Sequence, residues 1–459
     1  MAAMGEQAKT QVKFVEGNLL RHITVMSLTA SVGLMAIFAV DLINMVFISW
    51  LKDPAITAAV GYAGAILFFT TAFGIGLSIA VSALVARAVG MRDIAMARTK
   101  ATNGLVLGTM IGIVFSAVVW VFLPQIVSLL GATGVTAEWA VHFLRIVTPA
   151  QPFLMVGMIG GAILRSHGDA RRAMMATVVG ALVNAAIDPV LIFSLDLGLT
   201  GAAIASVISR IVIAGMALLP ILRHYGGFDR PSLSGLGADV APVFTIAGPA
   251  ILTQLATPVG QAIVTRMVAG YGEAAVAGMA ISGRLTPVAL GVIFAMSGAV
   301  GPIIGQNLGA GRMDRVRRTF LDAVLFTSLV VLVTSTLLFV LRAPIADLFH
   351  AEGLTRDLLY LFCGPLCLLF FFNGVIFVAN AACNNLGAPF SSTLINWGRH
   401  TLGTVPFALW LGASWGAQGV LVGQALGGVV FGIVAIWVGL RTIDRVAREV
   451  SARGVAAVA

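Results

Sequence analysis

Charge is what this chain has least of. Only 10% of its 459 residues are Asp, Glu, Lys or Arg, against about 25% in a soluble domain. That shortage, with 59% hydrophobic residues and a mean hydropathy of +1.00, excludes a water-soluble globule. Cysteine is scarce too. Cys363, Cys367 and Cys383 lie in or next to one apolar run, with no His or carboxylate at ligand spacing; they read as small buried hydrophobes rather than a metal site. No GxxxxGK[ST] phosphate loop occurs, so this single chain is not expected to be an ATP-driven pump. No GxSxG elbow or His-rich cluster suggests an enzyme or a cofactor. Met1 to Val15 is polar, carries Lys9 and Lys13 and precedes no cleavage site, so it is not read as a signal peptide. The net charge of +9 comes without an aromatic-basic platform, so nucleic acid is not the expected partner. Basic residues in short loops suit topology control and anionic lipid headgroups better.

What is present is a series of apolar runs. Spans are read near 20–49, 55–86, 102–124, 138–163, 173–195, 200–222, 241–270, 275–306, 319–342, 355–383, 391–412 and 418–440. Each is long enough to cross a hydrocarbon core of ~30 Å as a helix. The expected fold is an all-α polytopic membrane protein of about twelve transmembrane helices. Lys and Arg cluster before span one, after spans two, four, six and eight, and after span twelve; most alternate loops have few or none. The positive-inside rule then places both termini in the cytoplasm, with the chain multi-pass in the cell (inner) membrane.

The chain repeats itself. GMRDIAMAR at 90–98 resembles GRMDRVRR at 311–318, VGYAGA at 60–65 resembles AGMAIS at 277–282, and TGAAIAS at 200–206 resembles QGVLVGQ at 418–424. The nearly constant offset argues for a six-helix unit used twice. An even span count keeps both copies in one orientation, related by a pseudo-two-fold axis along the membrane normal. The expected division is an N-terminal tail at 1–19, one bundle at 20–222, a polar linker at 223–240, a second bundle at 241–440 and a tail at 441–459. Substrate sites in such repeats tend to lie between the halves.

The rare charges inside spans carry the chemistry. Asp41 stands alone in the run Ser27 to Ile48, and a carboxylate at that depth costs at least ~2.5 kcal/mol on insertion scales. Asn184 and Asp188 lie one helical turn apart, directly before Pro189. Proline cannot bond the carbonyl of Ala185 and crowds it. A carboxylate, an amide and a loosened carbonyl suit a proton or a small cation, and Ser206 on span six can add a hydroxyl. The competing reading pairs Asp41 or Asp188 statically with Arg210. Arg210, Gln254, Gln261, Arg284 and Asn373 are candidates for the substrate pathway, with helix bridging, anchoring or, for Arg210, the static pair as their ordinary roles. Arg399 and His400 form either a second polar site or a cytoplasmic-end anchor.

The two-fold plan, the loops GMRDIAMAR and GQNLGAGRMDRVRR, and RSHGDARR followed by N-x-x-x-D resemble the multidrug and toxic compound extrusion (MATE) family over roughly 20–440. The resemblance implies a secondary active antiporter, not an enzyme. It would export amphipathic, often cationic, organic compounds by alternating access in exchange for protons or sodium. The coupling cluster carries over to Asp41, Asn184, Asp188 and Ser206. Sodium-coupled, NorM-like relatives place carboxylates where this chain has Thr257 and Asn373, so proton coupling, as in the DinF-like branch, is favoured. Sodium at Asp41, Asn184 and Asp188 stays open as the alternative, as does a lipid-linked precursor flippase or exporter of the wider superfamily. No resident metal or cofactor is expected, and the protein is read as a monomer. Relatives often carry a proline early in span one; VMSLTASVG has none.

Overall fold

The computed structural model describes residues 12–456. Every regular element among them is helical, as expected where backbone N–H and C=O groups must find partners without water. Span one is Leu19–Trp50, span two Pro54–Gly90, span three Ile94–Val121 and span four Gly134–Ser166. Span five is Ala170–Ser194, six Gly198–His224 and seven Leu233–Ala269. Span eight is split at Leu290 into Glu273–Ala289 and Gly291–Gly309. Span nine is Met313–Leu348 and ten Gly353–Asn385. The last 64-residue apolar stretch, Pro389–Ala452, turns sharply at Gly416 (φ 63°, ψ −143°), which separates spans eleven and twelve. Only glycine adopts that backbone readily. Counted this way, the eleven apolar helices among the described residues become twelve spans.

The repeat is written in the turns. Left-handed residues stand at Arg92 and Gly311, at Gly131 and His350, at Gly134 and Gly353, and at Gly168 and Gly387. In each pair the second number exceeds the first by 219 (311 less 92, and likewise for the rest). Hydrogen bonds repeat with them. Asp93 N bonds Ala88 O at 3.1 Å and Arg312 N bonds Asn307 O at 2.9 Å; Asp169 N bonds Leu164 O at 2.9 Å and Ala388 N bonds Cys383 O at 2.9 Å. All four are helix ends closed by a six-to-one bond around a left-handed residue.

The chain divides into two compact units. One comprises Val32–Ala247, the other Val12–Ser31 with Gly248 onward, so the divisions fall inside spans one and seven. In the first unit, acidic N-caps start three spans. Asp53 accepts from Ala55 N at 2.8 Å, Asp93 from Met96 N at 2.8 Å and Asp169 from Arg172 N at 3.1 Å. Span four is interrupted at Thr148–Ala150. Pro152 has no N–H for Thr148 O, which accepts instead from Gln151 N and from Ser116 Oγ at 2.5 Å. The polar linker is partly helical. Ser232 Oγ accepts from Gly235 N at 3.1 Å and starts span seven at Leu233, inside the stretch expected to be linker. Asp239 is then bonded by Lys100 and by Asn103 Nδ2 (2.7 Å), and Asp229 pairs with Arg98 at 2.6 Å. At the other end of the chain, span twelve continues as helix to Ala456, through most of the expected C-terminal tail; residues 1–11 and 457–459 of the two expected tails lie outside the described residues.

In the second unit the segment before span one is held by its backbone. Phe14 is 1% exposed. Its N–H donates to Gln306 Oε1 at 2.9 Å, and its carbonyl accepts from Asn307 Nδ2 at 3.2 Å and Arg315 Nη2 at 2.9 Å. Arg315 also bonds the carbonyls of Glu16 and Gly17. The arginine in the repeated glycine-basic loop thus has a defined task in this unit. Truncating the plug, Phe14→Ala, should cost about 3–5 kcal/mol. The thermal midpoint of the purified protein should fall accordingly; an unchanged midpoint would mean that Phe14 is not packed as described.

Candidate functional site

Spans one and five run parallel in the first unit and touch twice. Gly33 lies against Thr177, where a Cβ at residue 33 would sit 3.5 Å from Thr177 Cβ. Farther along, the Phe47 and Phe193 rings are 5.9 Å apart at right angles, and Trp50 lies 6.1 Å from Phe193. Asp41 lies between the two contacts on span one, and Asn184 and Asp188 lie between them on span five. At 1.5 Å per residue, Asp41 is about 12 Å beyond Gly33, and Asn184 and Asp188 are about 10 and 16 Å beyond Thr177. The fold therefore brings Asp41 and Asn184 to about one level on neighbouring helices, with Asp188 a turn farther along. Pro189 closes the regular helix of span five, which continues as the wider π turn Val190–Ser194. A π turn inside an α-helix often marks a functional site.

Several buried oxygens near this level lack donors. Asp188 is fully buried and Asn184 nearly so. Neither carboxylate oxygen of Asp188 has a hydrogen-bond partner among the described residues, nor does Asn184 Oδ1. The same holds for Asn44 Oδ1, one turn after Asp41 on span one. Asp41 is exposed on its unit. Buried acceptors without donors are costly, by about 1–3 kcal/mol each. A proton on Asp188 turns one acceptor into a donor, and a small cation would accept several oxygens at once. Either relieves the mismatch.

The static-pair alternative finds no support in the geometry. Among the described residues no ion pair involves Asp41, Asp188 or Arg210. Arg210 Nη1 instead donates to Val147 O at 3.1 Å, where span four is interrupted. Ser206 is half-buried. One turn on, Ser209 Oγ bonds span five, at Gly180 O (2.9 Å). Sequence reasoning misses Asn44, although its i, i+3 spacing from Asp41 is a usable signal.

Apart from Arg210, which lies in the first unit, the pathway candidates fall into the second unit. Gln261 Oε1 accepts from Gln424 Nε2 at 2.8 Å, joining spans seven and twelve. Asn373 on span ten accepts from Arg399 Nη1 on span eleven. Gln254 is half-buried on span seven and Arg284 exposed on span eight. Thr257 is exposed. Asn373 and Thr257, the expected carboxylate positions of sodium-coupled relatives, thus stand in a unit whose buried charged residues include Arg399 and, paired with Arg318, Asp322. If Asp188 is unpaired as described, Asp188→Asn supplies the missing donor without changing shape. Its thermal midpoint should rise, by the equivalent of about 1–3 kcal/mol; a marked fall would mean that the carboxylate holds a charged partner.

Comparison with known proteins gives one family model, MatE, matching residues 29–190 and again 249–410. The second match starts 220 residues after the first (249 less 29), which agrees with the offset of the turns. The chain is 30% identical over 441 residues to the FAD transporter of Shewanella oneidensis, covering 92% of this chain and 94% of the relative. It is 22% identical over 342 residues to the multidrug export protein MepA of Staphylococcus haemolyticus, covering 74% and 75%. Among solved structures, an outward-facing multidrug resistance MATE transporter of the MOP superfamily superimposes with a TM-score of 0.88 at 23% identity. That match covers 95% of this chain and 99% of the other. A point mutant of the Vibrio cholerae MATE transporter VcmN gives 0.87 at 24% identity, covering 94% and 97%.

Proposed function

The chain belongs to the MatE family of membrane transporters, and on that premise we propose that it is a proton-coupled antiporter. It exports amphipathic organic compounds, cationic ones among them, by alternating access across the cell membrane. It works as a monomer with both termini in the cytoplasm. The observation that carries this reading is the buried Asp188 carboxylate, both of whose oxygens lack a donor, beside the equally unmatched Asn184.

Protonation supplies the donor that this cluster lacks. From the outer side a proton enters at Asp41 and Asp188 and cancels the charge that holds a cationic substrate, which leaves. On the inner side the proton departs and the carboxylates attract substrate again. The membrane potential adds about 2.3 kcal/mol per net charge per 100 mV. Sodium on the same oxygens is the rival coupling ion, since oxygen ligands suit it as well. Multidrug export is the role for which the MepA relatives are named, which supports export of organic compounds. A second reading, export of a phosphate-bearing flavin nucleotide, is supported by the 30% identity to an FAD transporter over nearly the whole length of both chains.

The test uses proteoliposomes loaded with ethidium. A pH gradient alone should drive its transport. Asp41→Asn and Asp188→Asn should each lower the rate at least tenfold. Transport that follows a sodium gradient alone, or that survives in both variants, would overturn the proton reading.

A further inference from the structure

The second unit holds the chemical opposite of the oxygen cluster. Arg399 and His400 sit about 15 Å into span eleven from Pro389, counting 1.5 Å per residue. The helix widens there into a π turn, Arg399–Gly403. Arg399 is 9% exposed and His400 5%. No carboxylate pairs with this arginine among the described residues. An arginine at such depth is costly, and a buried charge without a counter-charge is costlier still.

Its partners leave the deficit uncorrected. A guanidinium offers five N–H donors and accepts nothing. Nη1 donates to Asn373 Oδ1 and Nη2 to His400 Nε2. Because His400 Nε2 accepts, a neutral imidazole must carry its proton on Nδ1. Both Arg399 Nε and His400 Nδ1 lie buried without a partner among the described residues. They are therefore two buried N–H donors beside a positive charge, with no acceptor. Asn373, its oxygen taken, has only its amide N–H groups left to offer. Gly260 on span seven makes room for the imidazole, since a Cβ there would collide with His400 Nδ1. Gln261 and Gln424 lie one residue and four residues along from Gly260 and Gly428, the glycines that flank the cluster. Exposed Thr257 and Gln261 carry this polar layer to the surface of the unit.

We propose that Arg399, His400 and Asn373 form a binding site for the anionic group, phosphate or carboxylate, of an organic substrate. An anion offers only acceptor oxygens, and a planar guanidinium grips such oxygens with more than one N–H. A phospholipid headgroup stays at the membrane interface, about 15 Å from this layer, so the anion arrives on a solute. The proposal rests on the reading of the chain as an exporter of organic compounds and adds a substrate class to it.

Binding is measured at equilibrium, without any gradient, so that failure of proton coupling cannot mask it. The probes are flavin mononucleotide and riboflavin, which differ by one phosphate, titrated into the full-length protein in nanodiscs at neutral pH. The nucleotide should bind at least tenfold more tightly than riboflavin. Arg399→Gln should abolish that preference by weakening nucleotide binding at least tenfold, and Arg399→Lys should keep part of it. Asn373→Asp is the second variant. It places a carboxylate on Arg399 from within, so it keeps the fold and should also erase the preference. Equal affinity for the two probes, no binding of either, or a preference that survives Asn373→Asp overturns the proposal. Loss of ethidium transport under a pH gradient with the preference intact would instead overturn the coupling reading alone.

Discussion

A buried polar atom in a membrane-spanning helix has no water to fall back on, and every functional feature of this chain follows from where that rule is broken. Backbone groups are satisfied by the helices themselves. Where proline removes a donor, a hydroxyl replaces it, as Ser116 does for Thr148 O. Where a helix ends, a left-handed residue or an acidic cap closes it. Against that background of matched groups, the mismatched ones stand out. In the first unit they include a group of acceptors on spans one and five: Asp188, Asn184 and Asn44. In the second they include two adjacent donors on span eleven, Arg399 Nε and His400 Nδ1. Surplus acceptors call for a proton or a cation, and surplus donors call for an anion.

The two units share a plan but not a chemistry. Turns recur at a fixed offset with left-handed backbone at matching positions and the same closing bonds. The π turns do not follow that offset: one comes after Pro189 in span five and another at Arg399 in span eleven, 209 residues on (399 less 190) rather than 219. Side chains filling the shared framework have diverged. A family that moves many compounds can keep the framework for alternating access and vary the pockets, because binding depends on a few polar atoms set among ordinary apolar side chains.

Much of this was legible in the sequence. Twelve spans, the doubled six-helix plan and the candidacy of Asp41 and Asp188 follow from hydropathy, offset motifs and the rarity of charge. The level shared by Asp41 and Asn184 was not, because it depends on the Gly33–Thr177 and Phe47–Phe193 contacts between helices far apart in sequence. Arg210 looked like a counter-ion from its depth alone. It serves a carbonyl on span four instead, a partner that no helical periodicity reveals. Arg399 and His400 could be read as anchor or site. Only the pairing of Nε2 with the guanidinium, and the orphan donors it leaves, separates the two. Linker residues 233–239 looked irregular by composition, yet a serine cap was enough to draw them into helix.

The central claim is that Asp188 holds the coupling proton. Infrared difference spectroscopy of the carboxylic acid C=O stretch, recorded between acid and alkaline pH on the protein in lipid, reads that proton directly. The account predicts a band that titrates, shifts when ethidium binds and disappears in Asp188→Asn. A spectrum in which Asp188→Asn leaves every such band in place, or in which sodium rather than pH changes the band, would contradict it.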